Sequence, residues 1–208
     1  MKTVFLLLLF SFSYNSYSAD CDKHPIYCQI LKNRPKLNKK YAMRLSNIIY
    51  KMHRKYHIPS RIFTAILNQE SGYSLKAKGC HWGIEKTLKH TNEDVYAYIK
   101  VEDLDTQRIS FVPMRFPPLP VNKETKVCTD FGISQIYYKT AKRWKFDLEK
   151  LTTDLSYSVE AGAKVLHGFM EKYEAKENDW WVRYNCGVRG STKRDTCQIY
   201  KKLVERYL

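Results

Sequence analysis

The sequence predicts a mainly α-helical domain interrupted once by a small irregular or β insertion. Three observations predict this. Apolar residues recur at three- and four-residue spacing over Tyr41–Tyr56, Ile62–Leu67 and Leu155–Tyr173. Between about residues 76 and 128 that period gives way to short β-branched and aromatic runs and a proline-rich stretch. Cysteines flank that stretch, where a crosslink would limit the freedom of a long excursion.

The elements follow in chain order. Met1-Lys2-Thr3 is a short basic start, Val4–Phe12 is apolar, and Ser16-Tyr17-Ser18 offers small residues for cleavage before Ala19 or Asp20. Residues 1–19 are therefore expected to be a secretory signal, with a retained anchor as the competing reading. The run is short for a membrane span. The expected location is periplasmic or secreted, with residues 20–208 as one domain. A cysteine-bearing leader, Asp20–Lys40, precedes an amphipathic helix over Tyr41–Tyr56 marked by Ala42, Leu45, Ile48, Ile49 and Met52. His57-Ile58-Pro59 breaks it, and Ser60 is expected to cap the next helix. Inside the insertion, Val95–Ile99 and Ile109–Val112 read as a small hairpin, followed by Pro113–Pro120. Further helices are expected at Ile136–Trp144, Leu155–Tyr173, Trp180–Tyr184 and Ile199–Leu208.

Charge and cysteines narrow the class. Lys and Arg number 36 against 21 Asp and Glu, a net charge of +15. Such a surface suits a polyanionic partner. For an exported chain that partner is cell-wall polymer or, peripherally, a membrane surface. No helix-turn-helix, zinc-finger or RNA-binding signature supports nucleic acid. Six cysteines in an oxidising compartment suggest three disulfides. Their connectivity stays open by count alone, and near neighbours give Cys21–Cys28, Cys80–Cys128 and Cys186–Cys197. Cys-x-x-Cys and His-Glu-x-x-His are both absent, so neither a metal nor another cofactor is expected.

The most informative residue is Glu70. It follows Phe63 by seven positions, Ile66 by four and Leu67 by three, which puts a carboxylate on the apolar stripe of its own helix. Gly72 is a natural helix stop, so Glu70 also occupies the last turn, at the negative end of the helix dipole. Desolvation and dipole both disfavour the charged form and should raise its pKa. A carboxyl group protonated near neutrality is a general acid. The same placement fits a structural Glu paired with an arginine.

Glu70-Ser71-Gly72 resembles the catalytic Glu-Ser-Gly of lytic transglycosylases with a lysozyme-like fold. Gly132-Ile133-Ser134-Gln135-Ile136 with Thr140-Ala141, then Ala161–Leu166, then Tyr184-Asn185-Cys186-Gly187 and Tyr200–Tyr207 resemble that family's later segments, in order. The likeness spans about Ile58–Leu208. It implies an α+β lysozyme-like bundle around a catalytic cleft and a peptidoglycan substrate. It also implies cleavage between N-acetylmuramic acid and N-acetylglucosamine with 1,6-anhydromuramyl products. Glu70 would act as acid and then base, Tyr184 would orient it, and Ser71, Gln135 and Asn185 would contact the sugars. An ordinary core tyrosine and helix-capping amides are the alternatives for Tyr184, Gln135 and Asn185.

The chain departs from the family at Ser134, where Met is usual, and at Cys186, where Ala is usual. Asp130 resembles an aspartate of specialised transglycosylases that accompany secretion or conjugation machines. A second carboxylate there would favour a muramidase, hydrolysing the same bond; a loop Asp capping the next turn is its bland reading. A non-catalytic wall-binding scaffold of an envelope assembly is the alternative outside enzymes.

Overall fold

The computed structural model describes residues 21–82, 97–102, 109–114, 126–187 and 195–208. It is mostly helical with a small antiparallel sheet, as the sequence predicts. Its helices are α1 (Pro25–Asn33), α2 (Lys39–Tyr56), α3 (Ser60–Ser71), α4 (Tyr138–Trp144), α5 (Leu148–Thr153), α6 (Leu155–Tyr173), α7 (Arg183–Cys186) and α8 (Asp195–Glu205). A 3-10 turn, Trp180–Val182, leads into α7. None of the described helices is long and apolar enough to cross a membrane. The chain divides into two compact units, one made of the segments up to Gly72 and from Gly162 onward, the other of Tyr73–Ala161.

In the first unit, α1 packs on α2 and α3, and α8 packs on α3 and α7. The leader segment thus contains a helix, α1, which Pro25 starts at a position where its missing N–H costs nothing. Ile30, Leu45, Ile49, Phe63, Ile66, Leu67, Leu166 and Val204 are wholly buried. The chain end is tied in as well. Gln29 Nε2 donates to Arg61 O at 3.0 Å and to Tyr207 O at 2.9 Å, and Arg61 Nε donates to Leu208 O at 2.9 Å. Helix α2 begins as Asn38 accepts from Tyr41 N at 3.1 Å. Helix α3 differs from expectation at its start. Pro59 occupies the cap position without a side-chain hydrogen bond, and Ser60 is already helical, its carbonyl receiving Thr64 Oγ1. Cys21 and Cys28 are joined, with Cα atoms 5.5 Å apart.

The second unit holds strands β1 (Lys78–Trp82), β2 (Ala97–Glu102), β3 (Ile109–Met114), β4 (Lys126–Phe131) and β5 (Ile136–Tyr137). The sheet runs β1-β4-β2-β3, with β5 also paired to β4. The expected hairpin is present, with Ala97 opposite Met114 and Glu102 opposite Ile109; Val95 and Tyr96 lie outside the described residues. The helix expected from Ile136 starts two residues later, because Ile136 and Tyr137 pair with Phe131 and Asp130 instead. Cys80 stands opposite Cys128 in the β1–β4 register, while their side chains, and with them the third disulfide, lie outside the described residues.

Gly132 shows why this unit needs a glycine. Its φ is +76°, and a Cβ there would sit 2.0 Å from Leu151 O and 2.4 Å from Ser158 Oγ. The tight approach lets Ile133 N donate to Ser158 Oγ at 3.1 Å and Ser134 Oγ donate to Ser158 O at 2.8 Å. Ser134 and Ser158 are both fully buried. The Ser in place of Met at 134 thus has a hydrogen-bonding partner instead of apolar packing. Gly132→Ala is expected to destabilise the protein by about 3 kcal/mol in a denaturant titration, through the left-handed backbone and the collision together.

Candidate active site

Helix α3 ends as its sequence predicts. Gly72 takes a left-handed conformation, φ +60°, and its N–H donates to Asn68 O at 2.8 Å. A Cβ on Gly72 would also lie 2.6 Å from Arg34 Nη2, so the guanidinium covers this helix end, where a cation is favourable. Arg34 Nε donates to Asn68 Oδ1 at 2.9 Å, and Asn68 is only 1% exposed.

Glu70 is half-buried above the fully buried Phe63, Ile66 and Leu67, on the stripe its spacing indicates. Tyr200 brings a hydroxyl to it, donating to Glu70 Oε1 at 2.6 Å. Tyr200 lies on α8 in the buried series Cys197, Tyr200, Val204. Burial first, then the Glu70 charge, their hydrogen bond and the neighbouring Tyr184 push the Tyr200 phenol well above its ordinary range. Tyr200 is therefore a permanent neutral donor that fixes the orientation of the carboxyl group.

Tyr184 and Asn185 lie on the single turn α7, Tyr184 half-buried and Asn185 exposed. Ser71 Oγ donates back to Leu67 O at 3.0 Å, the ordinary bond of a serine in a helix. Arg183 anchors α7, a role with no signal in the sequence reading. It pairs with Glu177 through Nε–Oε2 at 3.0 Å and Nη2–Oε1 at 2.5 Å, donates to Gly187 O at 3.3 Å, and lies 4.3 Å from the Tyr173 ring centre. The hydrogen-bonded pairing holds Glu177 below its usual range and Arg183 above its own. One residue beyond Asn185, Cys186 is bonded to Cys197, joining α7 to α8 three positions before Tyr200.

The second unit gathers another set. Gly79 stands opposite Asp130 in the β1–β4 register. A Cβ on Gly79 would approach Asp130 Oδ2 to 3.0 Å and Gln135 Oε1 to 3.2 Å, so the Asp130 carboxylate and the Gln135 amide converge over a bare stretch of backbone. Thr129 Oγ1 donates to Asp130 Oδ2 at 2.7 Å, and Gln135, at φ +45°, donates from Nε2 to Gly132 O at 2.8 Å.

The family model of the transglycosylase SLT domain matches residues 47–203. The chain belongs to that family. No curated protein and no solved structure gives a match. The match takes in Glu70, Ser71, Asp130, Gln135, Tyr184, Asn185 and Tyr200. Members are lytic transglycosylases, enzymes acting on peptidoglycan, and the helical fold described here agrees with the family's lysozyme-like one. In this transglycosylase the closing Tyr-x-x-x-Val segment carries a hydroxyl that reaches Glu70; the four-residue spacing of Tyr200 and Val204 on one helix face was the available signal.

Three outcomes are expected. Tyr200→Phe keeps the ring but removes the donor, and steady-state turnover of wall fragments should fall roughly tenfold with little change in Tm. Arg183→Ala should cost about 2 kcal/mol in a denaturant titration at neutral pH. Because the Glu177 pKa is lowered on folding, that penalty is present above the ordinary glutamate value of about 4.3 and shrinks as pH falls below it. Replacing Cys186 and Cys197 together by Ser should cost about 3 kcal/mol, read from the same titration.

Proposed function

We propose that this transglycosylase cuts the β-1,4 bond between N-acetylmuramic acid and N-acetylglucosamine, with Glu70 as the sole acid and base, and leaves 1,6-anhydromuramyl ends. The observation that carries the reading is the Tyr200–Glu70 hydrogen bond at 2.6 Å, which gives a half-buried carboxyl group one orientation. With Oε1 accepting from Tyr200, the acid proton is carried on Oε2. Transfer to the glycosidic oxygen lets the N-acetylglucosamine leave as an oxocarbenium-like muramyl centre develops. The carboxylate left behind then takes the proton of the muramyl 6-hydroxyl, whose oxygen closes on the anomeric carbon. That attack comes from within the substrate, so it gains from proximity and consumes no water. Tyr184, Asn185, Ser71 and Gln135 are assigned to orienting and binding roles on the strength of the family resemblance.

A second reading is muramidase action with Asp130 assisting. It is favoured by one feature: Thr129 presents the Asp130 carboxylate in a set orientation beside the Gln135 amide. We further read the chain as exported, with a signal at residues 1–19, and as an accessory of a secretion or envelope assembly. The Cys21–Cys28 and Cys186–Cys197 disulfides support export.

Purified peptidoglycan digested with the wild type should give anhydromuramyl fragments by mass spectrometry. Glu70→Gln should cut the yield by at least about 100-fold. Reducing muramic ends without anhydro products would replace this reading by the muramidase one, and full activity of the variant would remove Glu70 from the chemistry.

A further inference from the structure

Between Lys23 and Gln69 the chain carries eleven lysines and arginines and no aspartate or glutamate. All eleven are exposed. On α2 they are ordered. Lys40, Arg44, Lys51 and Arg54, with the uncharged Asn47 between the two pairs, follow one another at alternating four- and three-residue steps, so they form a single stripe along the helix, about 20 Å long. Lys39 and Lys55 extend the same charge at the two ends. The opposite face of α2, with Leu45 and Ile49, is buried in the first unit.

This arrangement works against the helix that carries it. Lys40 and Arg44 are like charges at i,i+4, as are Lys51 and Lys55, and each such pair weakens a helix. The first turn holds Lys39 and Lys40 and no acid, which opposes the helix dipole. Arg54 and Lys55 in the last turn do suit the dipole, so the cost lies in the first turn and in the like-charge pairs. A local rule broken there, with no compensating acid in the segment, is the mark of a surface kept for binding.

We propose that the α2 stripe is an accessory docking surface for peptidoglycan itself, where its cations meet the carboxylates of the peptide stems along a glycan strand. The inference rests on the family's wall substrate but not on the assignment of Glu70. Two pairs of cations spaced along one straight helix face match a linear polymer carrying carboxylates at intervals. A bilayer fits less well: the apolar face of α2 is buried in the core and so cannot insert, and Tyr50, 55% exposed, is the one large exposed apolar side chain on the described part of this helix. Docking at the stripe holds the enzyme on an insoluble substrate and raises its encounter rate with neighbouring bonds.

The test uses the full chain carrying Glu70→Gln, so that binding is read without digestion. Lys40, Arg44, Lys51 and Arg54 are changed together to Gln. A charge-matched control carries Gln at the exposed Arg143, Lys176, Lys202 and Arg206 instead. Co-sedimentation with purified lipid-free sacculi should weaken about tenfold for the stripe variant and much less for the control, the scale of four surface contacts. Chemical amidation of the stem carboxylates, or raised salt, should weaken the unmodified stripe to a similar extent. The Tm of the stripe variant should be equal or higher, since like-charge repulsion is relieved. Equal loss in both variants, binding indifferent to amidation, or a lowered Tm would each overturn the proposal. Tighter stripe-dependent binding to anionic phospholipid vesicles than to sacculi would do so too, and would assign the surface to a membrane. Because Glu70 is already replaced, failure here leaves the catalytic reading to its own assay.

Discussion

The hydrogen bond from Tyr200 to Glu70 joins residues 130 positions apart, and the first unit is arranged so that it forms. Helix α3 has to stop at Ser71, one residue after Glu70, or the carboxylate would not lie in the last turn. Gly72 achieves this with its left-handed backbone, and Arg34 covers the exposed helix end. Helix α8 has to present its buried face to α3, and the run Cys197, Tyr200, Val204 does so. A phenol buried this deeply keeps its proton, so the bond has a fixed direction. The carboxyl group has one orientation in which to hold and release the proton of the proposed reaction.

A second layer of restraint acts on α7, a single turn too short to be stable alone. Arg183 fixes it from within through Glu177 and the face of Tyr173, and the Cys186–Cys197 bond fixes it to α8. The cysteine that departs from the family pattern is therefore a connection between the segment bearing Tyr184 and Asn185 and the helix bearing Tyr200. In the other unit, Gly132 and Ser158 perform the equivalent service for Gln135, holding its turn against the start of α6.

Periodicity made α2, α3 and α6 legible, because each repeats an apolar stripe over three or more turns. It also located Glu70 and the Gly72 stop, which depend only on neighbours in sequence. The pieces that escaped depend on distant partners. Ile136 and Tyr137 look helical by local spacing, yet β4 supplies a strand edge that takes them. Helix α1 was hidden in a basic, cysteine-bearing leader, although Ile26, Ile30 and Leu31 carry a helical period. Tyr200 was visible as part of a closing motif, but its contact with Glu70 requires knowing that α8 lies on α3. Arg183 had no signal: its partner Glu177 is six residues away, outside helical spacing, and the pairing arises from the turn between them.

The bonds of Gln29 and Arg61 to Tyr207 and Leu208 have a consequence for how the protein folds. Gln29 bonds to a carbonyl 178 residues further on, and Arg61 to one 147 residues further on. The unit that holds Glu70 is built from two stretches separated by the whole of Tyr73–Ala161. Residues 21–72 therefore complete their packing only against segments that follow Ala161 in the chain. Bringing Tyr200 to Glu70 closes a loop of 130 residues, and contacts of such sequence separation slow the approach to the native state. A chain without α8 would hold Glu70 without the Tyr200 hydroxyl, so the orientation of that carboxyl group depends on a contact between residues far apart in the chain.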